Sequence, residues 1–281
     1  EALGNEQDIL KKHPGVDPYT WAKEDAKTLT LQEKEENRPV IAKFRPANQI
    51  PLHKQELFNI GYLFLQSIYH ELKLDEICKA ITKKYAFDYH LNDILSRLLY
   101  LRIIHPTSKR GTFEQAKSLL EPVDIQSHQI YRSLEVFAEQ SDFIEEKVYK
   151  NSLYVVERNT NILFYDCTNF FFETEEPDHI KQYGVSKENR PNPIVQMGLF
   201  MDGSGLPLAF TITPGNTNEQ TTLKPLERRI LKDFNLSRFV VCTDAGLSSH
   251  ANRLYNTKGQ RAFVTTQSIK KLKKFLKESA L

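Results

Sequence analysis

The chain has 281 residues, a net charge of only +2 and 40% hydrophobic residues, enough for a sizeable core in one large or two ordinary domains. No apolar run approaches the roughly 18 residues a membrane helix needs, and the start does not resemble a signal peptide, so the default expectation is a cytoplasmic protein with no membrane partner. Cys78, Cys167 and Cys242 show no CxxC spacing, which argues against a zinc site and a disulfide framework and for small buried fillers.

Residues 1–50 are polar and read as an arm or linker. Trp21 to Asn37 has the charge pattern of a helix, and Pro39, Pro46 and Pro51 interrupt the stretch after it. Residues 51–158 read as helical, a candidate DNA-binding domain. Leu57, Ile60, Leu63 and Phe64 keep one face, as do Ile94, Leu95, Leu98, Leu99 and Ile103, with Asn92 as a cap and Pro106 just past the end. Ser127 to Phe137 carries His128, Gln129, Tyr131 and Arg132 on a polar-started helix, the form of a recognition helix, although most helical bundles bind no DNA. Phe143, Ile144, Val148 and Leu153 predict one more helix.

The texture changes near residue 160. Ile162 to Tyr165 is a continuous apolar run, the pattern of a strand buried on both faces. Val195–Met201 and Leu206–Ile212 flank Asp202-Gly203-Ser204-Gly205, a hairpin signal. Next come a helix over Thr221–Phe234, a buried strand over Phe239–Cys242, a helix over His250–Lys258 and a strand over Ala262–Thr265. The order predicts an α/β fold, a mixed sheet with helical cover. Lys270, Lys271, Lys273, Lys274 and Lys277 then alternate with Ile269, Leu272 and Leu276 at helical spacing, giving an amphipathic helix whose basic face is either solvated or turned to phosphate.

Each of the two apolar strands ends in an aspartate, Asp166 and Asp244. An ionised carboxylate at the edge of a core is costly unless it is paired or binds a cation. On neighbouring parallel strands, about 4.8 Å apart, the two could share Mg²⁺ or Mn²⁺. They could equally cap the turns after their strands, and pattern alone leaves these readings level. Lys187 and Arg190 lie in the polar stretch Tyr183 to Pro191, where they could hold phosphates or face solvent. Pro214 to Glu219 is a turn in which Asn216 or Asn218 can cap the next helix, and Asn216 would face the carboxyl ends of the strands.

Taken in order, Tyr165-Asp166-Cys167-Thr168, Tyr183-Gly184-Val185-Ser186-Lys187, Gly205-Leu206-Pro207-Leu208, Gly215-Asn216-Thr217-Asn218-Glu219 and Thr243-Asp244-Ala245-Gly246 resemble the motifs of bacterial insertion-sequence DDE transposases of the IS-four type. The resemblance covers about residues 160–266, and more weakly the helical zone. It implies a ribonuclease H-like core over 159–281, preceded by an all-helical region. It also implies Asp166 and Asp244 as catalytic ligands of Mg²⁺ (or Mn²⁺), with Lys187, Arg190 and Asn216 on DNA. The partners it implies are terminal inverted repeats and target DNA, bound by a homodimer in a synaptic complex. The family also needs a glutamate on a late helix. Glu278 lacks the surrounding pattern, so the chain, ending at Leu281, is expected to be truncated and inactive as it stands. Two alternatives remain: an inactive DNA-binding remnant, and a haloacid dehalogenase-like phosphatase, which would need a second aspartate where Thr168 stands.

Overall fold

A computed structural model of the protein describes residues 6–36, 52–53, 57–121 and 123–280. They divide into two compact units, residues 1–60 with 118–123, and residues 61–117 with 124–281.

In the first unit, α1 (Glu6–Lys12) and α2 (Pro18–Glu36) are joined by a short turn. Asp17 caps α2 by accepting from Thr20 N at 2.8 Å and Thr20 Oγ1 at 2.6 Å, and Pro18 takes the first helical position, where its missing N–H costs nothing. Trp21 stacks on His13, with ring centroids 4.4 Å apart. The expected break at Pro39, Pro46 and Pro51 lies outside the described residues.

The second unit starts with six helices: α3 (Tyr62–Glu71), α4 (Leu74–Thr82), α5 (Leu91–Ile104), α6 (Lys109–Ala116), α7 (Ser127–Glu139) and α8 (Ser141–Ser152). Two expectations are corrected here. Leu57 and Ile60 precede α3, and Leu57, Ile60 and Phe64 are exposed; the buried face of α3 is aromatic, Tyr62 and Tyr69, packing around Tyr100 of α5. Asn92 lies inside α5, where it accepts from the Tyr69 hydroxyl at 2.7 Å, so the tyrosine wins it from the capping role. On α7, Gln129 turns inward and accepts from Gln126 N at 2.7 Å, which leaves His128, Tyr131 and Arg132 on the exposed side.

The sheet follows the predicted element order. Its strands are β1 (Ile162–Phe171), β2 (Ile194–Asp202), β3 (Pro207–Pro214), β4 (Val240–Thr243) and β5 (Ala262–Thr265), arranged β3-β2-β1-β4-β5. β1, β2 and β3 are antiparallel neighbours, while β4 pairs parallel to β1 and β5 parallel to β4. With α9 (Leu223–Asp233) and α10 (His250–Tyr255) in the crossovers, this is the expected ribonuclease H-like mixed sheet flanked by helices.

β1 is not buried on both faces. Leu163, Tyr165 and Cys167 point into a core built with α8 and α9, where Tyr149 stacks on Phe234 at 4.8 Å. The alternate residues, Ile162, Phe164 and Phe170, are 37%, 44% and 51% exposed. The pairing register gives one open face, shared by Phe164, Ile212 of β3 and Val264 of β5. An apolar run cannot tell one-sided from two-sided burial, because covered and uncovered positions here carry equally apolar side chains.

The basic C-terminal helix is also corrected. A 3-10 turn over Ile269–Lys271 and α11 (Lys274–Ala280) are separated at Leu272, whose backbone is extended. Ile269 and Leu276 remain 47% and 43% exposed, so no buried stripe rewards a continuous helix through the lysines.

Candidate active site

Asp166 sits within β1, not at its end. The parallel ladder of β1 with β4, however, stops at the pair Phe164–Cys242. Two residues further along the chain from each partner come Asp166, on the open face of β1, and Asp244, in the turn that follows β4. Equal offsets from one paired position put both aspartates where the two strands part.

Each carboxylate is oriented by its own backbone. Asp166 Oδ1 accepts from Cys167 N at 2.8 Å, and Asp244 Oδ1 accepts from Leu247 N at 2.9 Å across the turn at Ala245-Gly246. Asp244 therefore caps its turn, and the arrangement leaves its second oxygen for other work. The backbone is held as well, since Thr265 Oγ1 donates to Asp244 O at 3.1 Å. Asp166 is 74% exposed, so burial does not force a cation on it. What suits the pair to a metal is donor chemistry: two hard oxygen ligands at equal offsets from one ladder pair. Among the described residues no cluster of three His, Cys, Asp or Glu side chains forms, so the pair supplies only part of a coordination shell.

Beneath Asp166 the apolar core holds one small polar contact. The Tyr165 hydroxyl meets Thr222 Oγ1 at 2.5 Å and accepts from Cys167 Sγ at 3.4 Å, and burial pushes both the phenol and the thiol up from their ordinary pKa values. Cys167 is thus a neutral buried group, while Cys242 is only half-buried on the open face.

Of the three predicted DNA contacts, the structure brings one to the aspartates. The Lys187 ammonium lies 4.0 Å from Asp166 Oδ1 and donates to the Cys167 carbonyl on the β1 edge that β4 has left. Arg190 stacks over the Phe171 ring at 4.9 Å and lies 3.9 Å from Glu188, away from the carboxylates. Asn216 is exposed just past β3, at the carboxyl end of β1 as expected, while the capping role falls to Asn218, which accepts from Gln220 N at 3.0 Å.

Two features were missed in the sequence. Asn169 and Gln196 face each other across β1 and β2, nearly buried at 7% and 5% exposed. Asn169 Nδ2 donates to Val185 O at 3.2 Å and its Oδ1 accepts from Lys187 N at 3.2 Å, while Gln196 Nε2 donates to Gly215 O at 3.2 Å. The paired amides thereby hold two loops, one at Val185–Lys187 and one at Gly215. The signal was an amide at an inward position of an otherwise apolar strand. The second feature is contact between two loop motifs: a Cβ on Gly184 would run into the Gly215 carbonyl, and one on Gly215 into the carbonyls of Ile194 and Gln182.

No family model matches the sequence, and no curated protein matches it. Solved structures similar to it include the piggyBac transposase synaptic complex with hairpin DNA, at 12% identity and TM-score 0.39, covering 77% of this chain and 52% of that one. The chain thus spans about half the length of that protein. Others are the Mos1 transposase paired-end complex with left transposon end (13% identity, 94% and 78% covered, TM-score 0.26) and a pre-cleavage Mos1 transpososome (13%, 99% and 85%, 0.27). TM-scores this low carry neither fold nor function, so both rest on the sheet topology and on the site's own residues.

Proposed function

We propose that the protein is a DNA transposase of the DDE type, in which Asp166 and Asp244 ligate Mg²⁺ or Mn²⁺ for strand cleavage and strand transfer at the ends of an insertion sequence. The observation that carries this reading is the matched placement of the two aspartates, two residues beyond one paired position on adjacent parallel strands. The ordered motifs that resemble the IS-four transposases supply the reaction class.

The outward oxygens of Asp166 and Asp244 would hold the metal. When bound, it supplies Lewis-acid stabilisation of phosphoryl oxygens and a more acidic water. The rest falls to the chain. The rigid sheet fixes both carboxylates before substrate arrives, so little ordering is left for the reacting complex. Lys187 presents an ammonium beside Asp166, where a DNA phosphate needs a counter-charge. Arg190 and Asn216, on the flanking loops, are assigned to DNA further from the reacting phosphate. Terminal repeats and target DNA are the partners, brought together by a homodimer. The third carboxylate of this family has no assigned residue here; Glu278 is exposed on α11.

The test uses supercoiled DNA carrying the sequences that flank the gene, with Mg²⁺ or Mn²⁺. Asp166→Asn and Asp244→Asn each abolish cleavage and weaken Mn²⁺ binding, read by electron paramagnetic resonance, while DNA binding persists. Unchanged Mn²⁺ binding in both variants refutes the assignment. A second reading rests on the ligand count: a remnant that binds DNA ends without cutting them. Binding without cleavage by the unmodified chain, under either metal, selects it.

A further inference from the structure

The geometry points to Asn169 as a positioning residue that aims Lys187 at the substrate phosphate beside Asp166. This role deepens the transposase reading and rests on it.

Lys187 belongs to a loop that is mostly exposed, and a lysine on such a loop ordinarily samples many rotamers. Here it is held at both ends. Its backbone N–H donates to Asn169 Oδ1 at 3.2 Å, and its ammonium donates to the Cys167 carbonyl. Two residues earlier the same amide grips the loop again, Asn169 Nδ2 to Val185 O at 3.2 Å. Asn169 therefore uses donor and acceptor together on one short stretch of backbone.

The carbonyl that receives the ammonium is available for a definite reason. β4 pairs with β1 only over Ile162–Phe164, so from Asp166 onward that edge of β1 has no strand neighbour among the described residues. Lys187 lies along that edge, 4.0 Å from Asp166 Oδ1. Its side chain is still 46% exposed, so an incoming phosphate can take the ammonium without breaking buried structure. Asn169 itself is 7% exposed and sits on the covered face, the opposite face from Asp166. It cannot touch DNA, and any effect it has on DNA passes through the loop. Its buried polarity would otherwise be a cost in that strand, since the neighbouring inward residues Tyr165 and Cys167 belong to the apolar core.

Three measurements on the full chain test this. The first is hydrogen exchange over residues 183–190. Asn169→Ala accelerates exchange at Lys187 by about tenfold, the loss expected for one hydrogen bond, with no change in β4. The second is binding to a duplex of about 30 base pairs at several salt concentrations, with Ca²⁺ so that nothing is cut. Lys187→Ala lowers the salt slope by about 0.9, one phosphate contact, and Asn169→Ala reproduces that fall. The third is the double variant, which binds no worse than Lys187→Ala alone. A merely structural role would instead give losses that add. Asn169→Asp, equal in size, loses the donor to Val185 and also buries a charge, so it frees the loop as Asn169→Ala does; exchange in β4 and β5 equal to the parent shows that each variant is folded.

A salt slope unchanged in Asn169→Ala, with accelerated exchange at Lys187, overturns the positioning role and leaves the transposase reading standing. Additive losses in the double variant overturn it as well. If the unmodified chain does not bind the duplex, the transposase reading falls and the proposal with it, and the exchange data still report whether Asn169 docks the loop.

Discussion

Arg158 and Asp202 form an ion pair with almost no solvent exposure, 3% and 0%, and its rupture has a calculable cost. Arg158 Nε donates to Asp202 Oδ2 at 2.6 Å; its other nitrogens donate to Ser152 Oγ at 2.9 Å and to the carbonyls of Leu206 and Pro207 at 3.1 and 2.8 Å. Asp202 Oδ1 accepts from Ser204 N and Leu206 N at 2.9 and 3.0 Å, which closes the β2–β3 turn. One arginine thus ties the end of α8 to the hairpin that flanks β1. Arg158→Met keeps much of the packing against the Tyr149 ring but strands a buried carboxylate. Removing one partner of a buried pair costs about 3–5 kcal/mol. The two backbone donors left on Oδ1 put this case near the lower end, about 3 kcal/mol, or a fall in Tm of about 6–12 °C for a chain of this size. Asp202→Asn keeps the Oδ1 acceptor and removes the stranded charge, so it destabilises the unmodified protein yet stabilises Arg158→Met. Urea unfolding followed by far-ultraviolet circular dichroism measures all four members of the cycle; Trp21 fluorescence is unsuitable because that residue is in the other unit. A loss under about 0.5 kcal/mol in Arg158→Met, or a double variant less stable than Arg158→Met, refutes the reasoning.

Three further outcomes are expected. Glu145, whose side chain is 11% exposed, is pushed up to about 7 by burial despite the Arg229 guanidinium and the Phe210 N–H beside it. A carboxyl that holds its proton more tightly folded than unfolded adds stability that is complete below about pH 4.5 and lost as pH rises through about 7. Glu145→Gln should therefore flatten Tm against pH across that window, and an unchanged profile would sink the assignment. Gly215→Ala meets two backbone carbonyls that no rotamer change can clear, so it should disorder the loops at 178–191 and 214–219, read as faster hydrogen exchange in both; protection equal to the parent contradicts the close approach. Gly198→Ala drives a methyl into the hydroxyl of Tyr165, diagonal to it on β1, and should cost about 1–3 kcal/mol in urea unfolding, with the Tyr165–Thr222 hydrogen bond lost.

The succession of strands and helices from Ile162 to Thr265 was legible because each element carries its own period and its own breakers. Asp202-Gly203-Ser204-Gly205 marks the hairpin, and the apolar stripe Leu223, Leu226 and Ile230 marks α9 and becomes its buried face. Elements whose residues answer to distant partners were misread. Asn92 has a capping residue's chemistry and a tyrosine's attention. Leu57, Ile60 and Phe64 have helical spacing and no buried surface to meet. Arg158, in a connector that offers no periodicity, makes the most buried ion pair among the described residues, because the hairpin that encloses it arrives 44 residues later.

The proposal for Asp166 and Asp244 rests on one ground in the sequence and on another in the structure. Apolar strands ending in aspartates suggest carboxylates at the edge of a core, where an unpaired charge demands a cation. Asp166 is mostly exposed, and a solvated carboxylate makes no such demand. Position is the stronger ground. A strand alternates faces, so of two aspartates on neighbouring strands each falls on either face and at any height. Here both stand at equal offsets from one ladder pair, at the point where the strands part and a lysine is pinned by the Asn169 amide and the Cys167 carbonyl. Moving Asp166 by one residue would turn it to the opposite face of β1. Transferring the acid two positions along the open face, as in Asp166→Thr with Thr168→Asp, keeps the net charge of the strand at an exposed site and ends the matched offset. Mn²⁺ binding should fall in that variant as far as in Asp166→Asn. Retained binding would show that local negative charge, and not the matched register, holds the metal.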